Sequence, residues 1–135
     1  MMLGALQLDR FIGIPYCPRH MDCADLALLV QRELFSRQVV LAGKRARPLE
    51  LDAQAAVIAS YCSELGTAVE QPQDGDAVLM RDFDAAQAGH IGVYVFTNYA
   101  PHVLHTSHKL GASVLHRMQD LQGFGLVVEG YYRWK

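Results

Sequence analysis

Cys23, His90 and His105 are the residues of this chain whose types suit one chemistry together, the opening of an amide through a thioester. A cysteine thiolate is a strong nucleophile at neutral pH. An imidazole can take the thiol proton and later return it to a leaving amine. A second polar group on the far ring nitrogen fixes the tautomer and orientation of such a base.

Cys23 lies in Met21-Asp22-Cys23-Ala24-Asp25-Leu26, where a polar loop turns into an apolar run. The pattern predicts a helix starting at the cysteine. A thiol in a first helical turn meets unpaired N–H groups and the positive end of the macrodipole, which favour thiolate. Asp22 suits the N-cap, and Asp25, three residues on, can reach back to complete a capping box. Leu26-Ala27-Leu28-Leu29-Val30 is apolar nearly all round, so the helix is expected in the domain centre.

Six histidines stand at positions 20, 90, 102, 105, 108 and 116. His90 opens the run His90-Ile91-Gly92-Val93-Tyr94-Val95. Strand alternation puts His90, Gly92 and Tyr94 on one side and Ile91, Val93 and Val95 on the other. Gly92 is expected to leave room for another element, such as a helix terminus. In His102-Val103-Leu104-His105, the two histidines face opposite ways, and His105 is expected to be the one that orients His90.

The elements that must position these groups fall into two halves. Residues 1–21 read as a short helix and a loop containing Gly13, Pro15 and Pro18. A helix is expected from Cys23 to about Arg37, then a connector over Val39–Pro48. Asp52 is expected to cap a further helix and Gly66 to end it in a left-handed cap. Leu51, Ala55, Ile58, Cys62 and Leu65 form its inward stripe, which makes Cys62 structural. From Gln71 the chain becomes β-rich. A turn at Gln71–Asp76 precedes expected strands at Ala77–Arg81, His90–Thr97, His102–Ser107, Ala112–Met118 and Leu126–Trp134. Asn98–Pro101 and Lys109–Gly111 serve as hairpin connections. Helices first and an antiparallel meander after define an α+β domain with the helices packed on one face of the sheet.

Composition narrows the function classes. The chain has 135 residues, enough for one domain over 1–135, and its 51% hydrophobic and 19% charged residues fit a globular protein. A net charge of -2 gives no electrostatic reason to bind nucleic acid or an anionic membrane. The basic cluster Lys44-Arg45-Ala46-Arg47 reads as a solvated loop. Met1–Leu8 does not read as a secretory signal, so synthesis in the cytoplasm is expected. No apolar run is long enough for a membrane span. Three cysteines, an odd number, argue against a disulfide framework.

The ordered set Gly13-Ile14-Pro15-Tyr16, Asp22-Cys23-Ala24-Asp25-Leu26, Gly75-Asp76-Ala77-Val78-Leu79-Met80, His90-Ile91-Gly92-Val93-Tyr94-Val95 and Val103-Leu104-His105 resembles the NlpC-type cysteine peptidases. These are papain-like bacterial cell-wall endopeptidases. The ending Ser113-Val114-Leu115-His116-Arg117 with Val128-Glu129-Gly130-Tyr131-Tyr132-Arg133-Trp134 resembles the branch encoded with phage and prophage tail proteins. The resemblance implies a papain-like fold. It also implies a Cys23 nucleophile, His90 as general base and acid, His105 as the orienting residue, and Tyr16 with Asp22 on the oxyanion and substrate side. It implies cleavage of peptidoglycan stem peptides, between D-glutamate and diaminopimelate, with no cofactor and with phage tail proteins as partners.

Two other readings stay open. Cys17-Pro18-Arg19-His20-Met21-Asp22-Cys23 has Cys-x-x-His-x-x-Cys spacing, and His102, His105 and His108 recur every third residue, so zinc is one. On a strand, however, those three histidines alternate faces. The other is a non-catalytic tail component with the same fold. It is favoured by Ala24-Asp25, where the family carries a small Ser-Gly pair, and by a short Tyr16–Cys23 loop without the family's Trp-Gly-Gly.

Overall fold

The computed structural model describes residues 4–39, 51–86 and 88–135; most of the expected connector, with its basic cluster, lies outside them. Among the described residues, three α-helices, α1 (Ala5–Asp9), α2 (Cys23–Glu33) and α3 (Leu51–Leu65), precede the strands. These are β1 (Gly66–Val69), β2 (Ala77–Asp82), β3 (His90–Thr97), β4 (Ala100–His105), β5 (Val114–Arg117) and β6 (Leu126–Trp134). A 3-10 helix, Met118–Phe124, joins the last two strands. The six strands form one sheet in the order β1-β6-β2-β3-β4-β5, and every neighbouring pair is antiparallel. The domain is α+β.

α2 starts at Cys23 because Asp22 is extended and caps it: Oδ1 accepts from the N–H groups of Ala24 and Asp25. The helix stops at Glu33, short of the expected Arg37. Ser36 turns left-handed (φ 52°), and the Arg37 N–H bonds back to the Gln31 carbonyl at 2.8 Å. α3 already includes Leu51, so Asp52 lies inside the helix and is not its cap. Nor does Gly66 form a left-handed cap. It is the first residue of β1, pairs with Trp134, and a Cβ there would lie 3.0 Å from the Cys62 carbonyl oxygen. A glycine eases that close approach, and β1 begins where a helix stop was expected.

The turn between β3 and β4 is tighter than expected. Asn98 and Tyr99 both have positive φ (51° and 62°), as a two-residue type I′ turn requires, and Ala100 and Pro101 already belong to β4. The last expected strand segment before residue 118 is also shorter, because Met118 begins the 3-10 helix.

Both faces of the sheet are covered. On one, Leu26, Ala27 and Val30 of α2 and Ile58 and Cys62 of α3 pack against Leu79, Ile91, Val93, Val95 and Leu104. On the other, Leu121 of the 3-10 helix packs with Val78, Met80, Val103 and Leu126. Complete burial of a side chain such as Leu26 or Val30 stabilises by about 1.5–3 kcal/mol relative to exposure, which ties α2 firmly across β3. Among the described residues, no helix is long and apolar enough to cross a membrane.

Candidate active site

The first turn of α2 is built as a reciprocal cap. Asp22 takes the Ala24 and Asp25 N–H groups, and Asp25 Oδ2 accepts from the Asp22 N–H at 3.0 Å. The Cys23 thiol is half-buried and packs against the helix-side cluster. Asp22, expected on the oxyanion and substrate side, caps the helix with its Oδ1 directly beside Cys23.

The loop before Cys23 is held at two points. Cys17 and Met21 form an antiparallel bridge, with N–H to carbonyl distances of 3.0 and 2.8 Å. Upstream, the Gly13–Tyr16 strip lies against Gly111–Ser113. Tyr16 N–H donates to the Gly111 carbonyl, Ile14 N–H to Ser113 Oγ, and Ser113 Oγ–H to the Phe11 carbonyl. Tyr16 packs edge-on against His108 at 5.9 Å. Its phenol pKa is raised, first by burial and then by the electrostatic influence of the neighbouring Asp22 and Cys23. Tyr16 therefore stays a proton donor near Cys23 at neutral pH.

The imidazoles form a row. His90 Nε2 lies 2.7 Å from His105 Nδ1, and His105 Nε2 lies 3.0 Å from His116 Nδ1. His116 stacks flat on Phe124 of the 3-10 helix, with centroids 4.0 Å apart. Burial lowers the pKa of all three rings: His90 to about 4, His105 to about 2, and His116 by a smaller amount that Asp120 opposes. All three are neutral at pH 7. His102, by contrast, bonds the Ala100 carbonyl at 2.9 Å and takes no part in the row.

Two glycines make the row fit. A Cβ on Gly92 would fall 2.4 Å from Val103 Cγ2 and 3.1 Å from both His105 Cβ and Met80 Cε. The space beside His90 is thus filled by neighbouring strands, and not by the helix terminus that the sequence pattern suggested. Gly89 presses on Ala55 of α3, where a Cβ would come within 2.5 Å of the Ala55 Cβ, so the residue before His90 is anchored to a helix.

Directly paired residues share a face, so His90 lies with Met80 and His116 with Val103, under the 3-10 helix. Cys23 packs with the opposite, helix-side cluster. The structure therefore brings His90 and His105 together, adds His116, and gathers Tyr16 and Asp22 near Cys23. His116 carries no local signal in Val114-Leu115-His116-Arg117. Only its register opposite Val103, two residues from His105, could have pointed to it.

The three cysteines form no disulfide, and burial pushes the Cys62 thiol up to about 12, which makes it inert. Among the described residues no group of three His, Cys, Asp or Glu side chains could hold a metal ion, so neither zinc spacing is assembled there. No protein-family model matches this chain, and no curated protein matches it.

Proposed function

We propose that the protein is a papain-like cysteine peptidase of the NlpC type, which hydrolyses amide bonds in peptidoglycan stem peptides. The observation that carries this reading is the bond between His90 Nε2 and His105 Nδ1. It commits the far nitrogen of His90 and makes Nδ1 the atom that exchanges a proton with the Cys23 thiol. That exchange, round the first residue of β3, is the step the proposal adds.

The reaction then follows from the residues. The Cys23 thiolate attacks the amide carbonyl and forms a C–S bond. The Tyr16 phenol and the Cys23 N–H donate towards the oxyanion. His90 passes its proton to the nitrogen as the C–N bond breaks, leaving a thioester. Water, deprotonated by His90, opens the thioester and frees the thiol. The resemblance directs the reading to the D-glutamyl–diaminopimelate bond and to a role beside phage or prophage tail proteins.

The test is incubation with purified stem peptides and mass spectrometry of the products. A new amine that is absent with Cys23→Ser supports the reading; an unchanged peptide pool contradicts it. A second reading, a non-catalytic component of the same fold, draws on Asp25 beside the thiol and on the separate clusters that hold Cys23 and His90. A Cys23 that is alkylated no faster than a free cysteine would select it.

A further inference from the structure

We infer that His116 is a positioning residue that sets the tautomer of His90 through His105, an inference that rests on the peptidase reading. A neutral imidazole has one donor and one acceptor nitrogen. His105 is fully buried and uses both nitrogens on other histidines, so it must donate at one end and accept at the other. The proton on His116 therefore dictates the proton on His90. The relay has only two neutral states.

In one state every ring carries its proton on Nε2. His116 Nδ1 accepts from His105 Nε2–H, His105 Nδ1 accepts from His90 Nε2–H, and the lone pair of His90 is on Nδ1. In the other state every ring carries Nδ1–H, and His90 presents a proton where a base is required. His116 is the least buried ring, and the Nε2–H form is the one that isolated histidine side chains favour. Its Nδ1 then accepts, and the whole relay falls into the state that makes His90 a base. Phe124 holds the His116 ring flat so that Nδ1 stays aimed at His105. The charged or titratable groups acting on His116 are His105 from β4 and Asp120 from the 3-10 helix; Asp120 also pairs with Arg117.

The test combines imidazole nitrogen chemical shifts with stem-peptide cleavage in wild type, His116→Asn and His116→Leu. Wild type should show His90 as the Nε2–H tautomer. Asn places Oδ1 where Nδ1 was, so it should keep that tautomer and a kcat within about threefold of wild type. Leu cannot accept, so His105 should turn its proton towards His90, with His90 shifting to Nδ1–H and kcat falling about tenfold or more. A wild-type His90 found as Nδ1–H, or a Leu variant with unchanged tautomer and kcat, overturns the inference. The wild-type spectrum decides even if the Leu variant does not fold. A wild type that cleaves no stem peptide sinks the peptidase reading instead, and the nitrogen shifts still decide the relay.

Discussion

His90 Nε2 and His105 Nδ1 stand 2.7 Å apart, and Gly92 is what allows it, because the His105 Cβ occupies space that any side chain at residue 92 would need. The orientation of the His90 ring is thus set by backbone register and by one missing methyl group as much as by the two imidazoles.

Gly92→Ala should therefore damage both stability and activity. The added Cβ collides with Val103 and displaces His105, an overpacking of the kind that costs about 1–3 kcal/mol. Chemical denaturation and cleavage rates measure the two effects. A variant as stable and as active as wild type would mean that His105 is not seated over Gly92.

The atom used by His105 is Nδ1, and the Oδ1 of asparagine is its nearest mimic. His105→Asn should keep activity within about tenfold of wild type, whereas His105→Ala should lose about a hundredfold, less than loss of His90 itself. His102→Ala should change the rate little, because His102 serves the Ala100 carbonyl. Initial rates at one pH, with circular dichroism to check folding, decide the order.

Much of this was legible in the sequence. The bounds of β3 follow from an alternating run set between Gly89 and Asn98, and the start of α2 from Asp22 with Asp25 three residues on. The opposite facing of His102 and His105 follows from strand parity alone. What was not legible depends on register between distant segments. His116 reaches His105 only because β5 pairs with β4 through Val103 and because the 3-10 helix supplies Phe124. Gly66 and Gly92 carry the same letter as turn glycines, yet each makes room for a neighbour that local sequence does not name.

Asp25→Gly should lower stability by about 1 kcal/mol, since its carboxylate holds the Asp22 N–H in the cap of α2. Thermal denaturation measures this, and alkylation of Cys23 should change only modestly. A large gain in thiol reactivity would mean that Asp25 suppresses the nucleophile.

Acid should destabilise the fold through the buried histidines. Burial lowers His90 to about 4 and His105 to about 2, below the unfolded value of about 6.5. Between about 4 and 6.5 the unfolded chain binds more protons than the folded one. Their contribution is complete above about pH 6.5 and is lost as pH falls, by at most about 1.4 kcal/mol per pH unit for each histidine. Denaturation at pH 7.5, 6 and 5 should show this slope, and His105→Asn should flatten it. An unchanged slope in that variant would contradict the buried neutral state of His105.

Cys23→Ser should abolish cleavage with the fold intact, since a hydroxyl is a far poorer nucleophile at neutral pH. Cys17→Ser and Cys62→Ala should retain it, the latter at a stability cost of about 1 kcal/mol for a buried truncation. If Cys17→Ser were as inactive as Cys23→Ser, a single nucleophile could not explain the activity.

The central claim is that Cys23 and His90 share a proton across the start of β3. The rate of Cys23 alkylation against pH, in wild type and in His90→Ala, measures it without any substrate. With Cys17 and Cys62 replaced, the account predicts that below about pH 8.5, the ordinary cysteine value, wild-type Cys23 is alkylated faster than the His90→Ala thiol, because the neutral His90 ring takes the thiol proton. Coincident curves for the two proteins would contradict it.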